Sequence, residues 1–150
     1  MDAPRASIDF APQPVRDGTL SPYNQVDLIV GPEGFNLPGR SRKLFTDEFV
    51  LIADPSNKAL SGPEPSLADL SSVPHAVAYL NDPVNDDVQE MLRRAGVDYS
   101  VGARLFGLAA LPTLISGTDM VALVPRMLAA KASRTLQLSV FELPTGMNLP

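Results

Sequence analysis

From Phe49 onward the chain alternates apolar runs with amphipathic segments, and this order restricts the fold more than any other feature. Five strands are predicted, at residues 49–53, 75–80, 99–106, 120–124 and 136–143. Four helices are predicted between them, at residues 66–70, 86–95, 108–115 and 125–132. Regular alternation of strands and helices is typical of an α/β domain with a mostly parallel sheet.

The predicted helix at 86–95 has the clearest end signals. Asp86 and Gln89 have the spacing of a capping box, and Gly96 suits the residue just after a helix. Pro112 lies inside the predicted helix at 108–115, where a proline removes a backbone hydrogen bond, so we expect a kink there.

Prolines break up the first half of the chain. Ten of the 15 prolines precede residue 76, and a residue before proline is pushed toward extended geometry. Helices are therefore not expected in the first quarter of the chain. The β-branched run at 26–30, which ends at Gly31 and Pro32, is predicted to be a strand.

Composition excludes several classes of site. The chain has no cysteine and one histidine, so it forms no disulfide, thiolate site or multi-histidine metal cage, and no metal or cofactor is predicted. A net charge of −5 argues against this chain itself binding a phosphate backbone. No apolar run is long enough to span a membrane and no secretory signal is evident, so the predicted location is the cytoplasm.

Signals for catalysis are weak, and no enzyme activity is predicted. None of the common nucleophile-elbow, phosphate-loop, dinucleotide or zinc-protease motifs occurs. His75 follows a proline at a strand start and is interpreted as structural. Asp86 and Asp87 are adjacent on a helix and do not share a face, so helix capping explains them better than acid–base chemistry. A short basic run is interpreted as a solvated strand entrance, formed by Arg40, Arg42 and Lys43.

Signals for ligand binding are stronger. In open α/β sheets the ligand crevice lies beyond the carboxyl ends of the strands. Those ends are predicted at residues 80–81, at 106–107 and at the turn 117–119. Helix N-termini at such ends attract carboxylates and other oxygens. Tyr79, Leu105 and Phe106 would supply apolar walls, although each of them alone could equally be an ordinary core residue.

Several segments together resemble LysR-type transcriptional regulators. Residues 26–32 are similar to a D-L-x-I-G strand end, and residues 44–50 to an L-F-x-D-x-F-V strand. The pieces S-L-A-D-L and P-H-A-V are similar to a further segment of that family. The run L-P-T-L-I followed by T-D-M-V-A-L-V-P is closest to the nodulation-regulator and aromatic-acid-regulator branch. The resemblance covers roughly residues 26–144.

The resemblance implies the effector-binding domain of such a regulator. Its fold would be like that of type 2 periplasmic binding proteins, with two α/β subdomains joined by two crossing strands near 45–49 and 141–144. Residues 1–47 would then be part of subdomain I. Residues 48–142 would form a complete, Rossmann-like subdomain II, and residues 143–150 would return toward subdomain I.

The implied function is sensing a small organic effector in the cleft between the subdomains. In this branch the effector is often an aromatic acid or a flavonoid-like molecule, although a leucine at position 105 makes the pocket more apolar. DNA would be bound only by a winged helix-turn-helix domain outside this chain, and a homodimer or higher oligomer is expected. The effector-binding residues carried over are Gly31, Pro32, Tyr79, Asn81, Leu105, Phe106, Thr118 and Asp119. A solute-binding receptor of the same fold and, less favoured, a small α/β enzyme are the alternatives.

Overall fold

The computed structural model describes Ser7, Asp9, Gly62, Met147 and residues 26–30, 39–60, 64–78 and 83–144, with only the backbone described at 83–87. The strand predicted at 26–30 is wrong, because these residues adopt no regular structure and pair with no strand among the described residues. Leu28 and Val30 are largely exposed to solvent. An isolated extended segment leaves its backbone groups unpaired, so alternating apolar residues alone do not make a strand.

Five strands and four α-helices follow in the predicted order. The strands are β1 (Phe49–Ala53), β2 (Pro74–Ala78), β3 (Ser100–Leu105), β4 (Val121–Pro125) and β5 (Ser139–Phe141). The helices are α1 (Leu67–Ser72), α2 (Pro83–Arg94), α3 (Leu111–Ile115) and α4 (Arg126–Leu136), with a 3₁₀ turn at Leu108–Ala110 before α3. The sequence therefore predicted the order and type of these strands and α-helices.

The ends of three helices differ from prediction. α2 begins at Pro83, so Asp86 lies inside the helix rather than at its N-cap. Pro112 is the second residue of α3 and follows the 3₁₀ turn. Backbone N–H groups in the first turn of a helix have no intrahelical partner, so a proline there removes no hydrogen bond and the predicted kink does not occur. α4 continues to Leu136 and stops at Gln137, which adopts a left-handed conformation with φ 55°.

The sheet is mixed rather than mostly parallel in its pairings. Its order is β3-β2-β4-β1-β5; β2 runs parallel to β3 and β4, whereas β1 is antiparallel to both β4 and β5. β1 ends and β2 begins at the same edge of the sheet, so the connection at 54–73, which includes α1, returns the chain to the edge it left.

Both faces of the sheet are buried. Alternate residues of β1 and β4 point to opposite sides, because the side-chain period of a strand is two. On one face α3 and α4 pack over Val50, Ile52, Ala122 and Val124. On the other face lies a second core that includes Leu51, Leu70, Leu92, Leu123 and the tail residue Met147. A continuous apolar run in β1 is the expected sequence of a strand covered on both faces.

Candidate functional site

The sheet has two ends with different surroundings. We call the end where β2, β3 and β4 finish and β1 begins the carboxyl edge, and the opposite end the amino edge. Leu105 is the last residue of β3, so it and Phe106 lie at the carboxyl edge. The Phe106 side chain is 82% exposed. These two predicted binding residues therefore lie where open α/β sheets place their ligands.

Thr118 and Asp119 lie at the amino edge, and the sequence prediction of their position is wrong. They follow α3 and precede β4, so the turn at 117–119 leads into a strand instead of ending one. The Thr118 hydroxyl donates to the Ile115 carbonyl at 2.9 Å and accepts from the Met120 N–H at 3.2 Å. Five residues of β4, about 16 Å of strand, separate these residues from the carboxyl edge.

Polar turns close the amino edge. The Asp54 carboxylate accepts from the Gly117 N–H at 2.6 Å and from both the N–H and the hydroxyl of Ser56. The Ser56 hydroxyl, followed by the Gly117 N–H, lowers the pKa of Asp54. Asn57 is buried; its amide donates to the Asp119 carbonyl at 2.9 Å and accepts from the Ala59 N–H at 3.0 Å. These polar groups serve the fold and are already paired with the chain itself.

Four predicted binding residues lie outside the described residues. They are Gly31, Pro32, Tyr79 and Asn81. Asn81 and Tyr79 follow β2 in the sequence, and the end of that strand at Ala78 lies at the carboxyl edge.

A crevice lies between the sheet and α2. Phe49, Ala78 and Leu108 line it at the carboxyl edge, and His75 and Tyr99 line it toward the amino edge. Its volume is about 30 Å³. A cavity that accepts benzene is roughly 150 Å³, so this crevice has room for water but not for an aromatic ring. A ligand of that size at the carboxyl edge therefore has to rest largely above the crevice.

His75 is buried and structurally committed, as the sequence analysis predicted. One ring nitrogen, Nε2, is 2.8 Å from the Leu70 carbonyl, which requires that nitrogen to carry the proton. The ring also lies 4.7 Å, centroid to centroid, from the Tyr99 ring. Burial lowers the pKa of His75 and raises that of Tyr99. Both side chains are therefore neutral at physiological pH, and they line the part of the crevice toward the amino edge without charge.

A charged network at the carboxyl edge was not found by sequence reasoning. Arg126, the first residue of α4, donates from Nε to Glu48 at 2.6 Å and from Nη1 and Nη2 to Glu142 at 2.9 and 2.5 Å. The paired hydrogen bonds to Glu142, together with Glu48, raise the pKa of Arg126, and the same contact lowers the pKa of Glu142. Glu48 comes just before β1 and Glu142 just after β5.

The sequence did contain a signal for this network. The predicted crossing segments at 45–49 and 141–144 each contain one glutamate, and an arginine follows the proline at the carboxyl end of a predicted strand. All three segments are predicted to meet at one edge of the sheet. Two negative charges and one positive charge at that edge predict an ion pair.

Two further observations concern other kinds of site. Within the described ranges no three histidine, aspartate or glutamate side chains lie close enough together to hold a metal ion. The longest helix that the structure describes has 12 residues, and none is both long and apolar enough to cross a bilayer.

A family model described as the LysR substrate binding domain matches residues 23–149. Among curated proteins, Nodulation protein D 1 of Sinorhizobium fredii (strain NBRC 101917 / NGR234) is 29% identical over 144 residues, which are 95% of this chain and 44% of that protein. The HTH-type transcriptional regulator LeuO of Escherichia coli (strain K12) is 30% identical over 133 residues, covering 84% of this chain and 40% of that protein. The chain thus spans less than half the length of these relatives.

Solved structures show the same fold. A probable transcriptional regulator from Pseudomonas aeruginosa superposes with a TM-score of 0.65 at 24% identity, over 77% of this chain and 38% of that one. The effector-binding domain of QuiR in complex with shikimate superposes with a TM-score of 0.54 at 13% identity, over 66% of this chain and 46% of that one.

Proposed function

The chain belongs to the LysR substrate-binding domain family, whose regulatory domains have a type 2 periplasmic-binding-protein-like fold, and we propose that it senses a small organic effector for a transcriptional regulator. The observation that carries the proposal is the carboxyl edge. It combines an exposed aromatic side chain at Phe106, an apolar crevice and the two segments by which the chain enters and leaves the sheet.

The proposed division of the chain has three parts. Residues 1–47 belong to subdomain I, residues 48–142 form subdomain II, and residues 143–150 return toward subdomain I. The pairing of β1 with β5 supports these boundaries, because it brings the start and the end of the five-stranded unit side by side. A ligand cleft between the subdomains would then be bounded on one side by the carboxyl edge.

The proposed effector site is smaller than the set inferred from the sequence. It keeps Leu105 and Phe106 on the subdomain II side, together with Tyr79 and Asn81, which follow β2, and with Gly31 and Pro32 from the first subdomain. It omits Thr118 and Asp119, because they lie at the opposite edge and their backbone or side-chain groups stabilise the turn before β4.

The proposed effector is a small organic molecule with an apolar body. Leu105 and Phe106 offer apolar contact, and the cation nearest to the helix start, Arg126, is already paired with two glutamates. An aromatic acid and a flavonoid-like molecule are both candidates, and shikimate, which is bound in the QuiR structure, is a sensible test compound. The proposed role is regulatory rather than catalytic, with DNA bound by another part of the regulator in the cytoplasm.

Self-association is part of the same proposal. Several apolar side chains of the first subdomain and of the crossing segment are exposed, namely Leu28, Val30, Leu44 and Phe45. Exposed apolar surface favours association, so we expect a homodimer or a higher oligomer. Light scattering that finds only a monomer at all concentrations would contradict this part of the proposal.

A thermal-shift screen of the 150-residue chain with shikimate, aromatic acids and flavonoids tests the function. A true ligand at 100 times its Kd stabilises by about 2.7 kcal/mol, which for a chain of this size raises the Tm by about 5–10 °C. Phe106→Ala should abolish that rise. Asp119→Asn, a nearly isosteric change at the amino edge, should retain it. A rise that survives Phe106→Ala, or the absence of any rise across the screen, would contradict the proposal.

A further inference from the structure

We propose that Arg126 is a positioning residue that fastens both crossing segments of the chain to the start of α4. The inference rests on the proposed function, because the crossing segments are the proposed connection between the subdomains. The proposed function does not say how the two crossing segments respond to a ligand. We infer that a structural change at the carboxyl edge reaches both segments through the Arg126 side chain.

Arg126 contacts each crossing segment with a different part of its structure. Its Nε donates to the Glu48 carboxylate at 2.6 Å, and its backbone N–H donates to the Glu48 carbonyl at 2.8 Å. Its two terminal nitrogens donate to the two oxygens of Glu142. This fork-to-fork geometry is specific to a planar guanidinium, which a lysine ammonium cannot reproduce.

The entering segment also caps the helix. Pro125 is the N-cap of α4 and makes no side-chain capping bond. The Asp47 carboxylate accepts from the Met127 N–H at 3.2 Å instead. The first turn of α4 is therefore satisfied by the crossing segment rather than by its own N-cap, so the two have to move together.

Helix electrostatics alone would not place an arginine here. The N-terminus of a helix carries a partial positive charge, which disfavours a cation in the first turn. The two carboxylates that Arg126 bridges offset this penalty. Arg126 is therefore explained by the segments it joins and not by any benefit to α4 as an isolated helix.

The arrangement can open and close because it is only partly shielded from water. The Arg126, Glu48 and Glu142 side chains are 37%, 67% and 55% exposed. Exposed ion pairs are individually weak and are screened by salt, so a modest force at the edge is enough to exchange them. In the described structure, Glu48 and Glu142 flank the paired strands β1 and β5, so release of the Arg126 guanidinium breaks a side-chain bond to both segments at once, while the backbone bond to Glu48 and the Asp47 cap still hold the entering segment.

Hydrogen exchange on the ligand-free chain tests the inference. In Arg126→Gln, exchange should rise about fivefold at the amides of 126 and 127, which bond to the entering segment, and at 142–143 together, while β2 and β3 stay unchanged. Arg126→Lys, which keeps the charge but not the fork, should loosen 142–143 more than 126–127. Loosening confined to α4, or an equal rise in β2 and β3, would overturn the proposal.

A coupling measurement separates this role from a purely structural one. Glu48 and Glu142 act through Arg126, so the effects of Glu48→Gln and Glu142→Gln on exchange should be non-additive in the parent chain and additive in Arg126→Gln. Additive effects in both backgrounds would refute the shared role. Neither experiment uses a ligand, so a failed effector screen leaves their outcome unaffected, and the reverse also holds.

Discussion

At the amino edge of the sheet, polar side chains bond to the chain's own backbone, whereas at the carboxyl edge aromatic and apolar side chains face the solvent. Asp54 and Asn57 tie the turn after β1 to the turn before β4. Phe106, Phe45 and Met127 lie exposed near the other edge or its crossing segment. The same sheet therefore has one edge closed by polar bonds and another that, beside the Arg126 network, presents apolar side chains to the solvent.

This difference indicates which residues stabilise the fold and which are available for binding. Substitutions at the amino edge should reduce the free energy of unfolding, and substitutions of exposed side chains at the carboxyl edge should not. Four predictions test that contrast, beginning with the largest effect.

Asn57→Ala should lower the free energy of unfolding by about 2 kcal/mol, because it removes a buried amide that donates to the Asp119 carbonyl and accepts from the Ala59 N–H. Urea denaturation followed by circular dichroism measures this loss. Lys58→Ala, an exposed change in the same turn, is the matched control and should cost less than about 0.5 kcal/mol. If the two variants lose the same free energy of unfolding, the hydrogen bonds of the Asn57 amide do not stabilise the amino edge.

Gly117→Ala should cost about 1 kcal/mol. Gly117 has φ +73°, a left-handed conformation that strains any residue with a Cβ atom, although the structure has space for the atom itself. Ser116→Ala, at the exposed neighbouring position, is the control. A stability for Gly117→Ala equal to that of the parent chain would mean that the turn relaxes without cost.

Acid should weaken the fold through the chain's single histidine. The pKa of His75 is lowered from 6.5 by burial, so the unfolded chain binds more protons than the folded one below that pH. The Tm should therefore be highest above pH 6.5 and should fall as the pH decreases through 6.5 toward 5.5. His75→Gln should flatten this slope, and a slope that is unchanged in His75→Gln would assign it to other groups.

The smallest effect is expected at the carboxyl edge. Phe45→Ser and Met127→Gln should each change the free energy of unfolding by less than about 0.5 kcal/mol, because both side chains are mostly exposed. If the exposed apolar surface drives association, the same two variants should weaken the oligomer, which sedimentation velocity measures. A large loss of monomer stability in either variant would contradict the contrast between the edges.

Local patterns predicted the elements well and their directions poorly. The apolar run of β1 and the helix signals around Gly96 depend on neighbouring residues, so they can be read from the sequence. The antiparallel direction of β1 depends on its pairing with β4 and β5, which lie far later in the chain, so no local pattern reports it.

Strand direction also explains why only some of the predicted binding residues lie at the carboxyl edge. Leu105 ends a strand whose direction matched the prediction and Phe106 follows it, so both lie at the expected edge. Thr118 and Asp119 were placed by assuming that their turn ends a strand, although it begins one. Arg126 bridges Glu48 and Glu142, which are 94 residues apart in the chain, so its signal appears only when the two crossing segments are considered together and not in any local pattern.

The pairing of the first strand with the last has a consequence for synthesis and for evolution. β5 completes the side of β1 that β4 does not cover, yet it leaves the ribosome about 90 residues later, so β1 has a free flank until the unit is nearly finished. Once closed, the unit begins and ends at neighbouring points of one edge. Such a module can be inserted into a surface loop of another protein, or circularly permuted, without rethreading its interior.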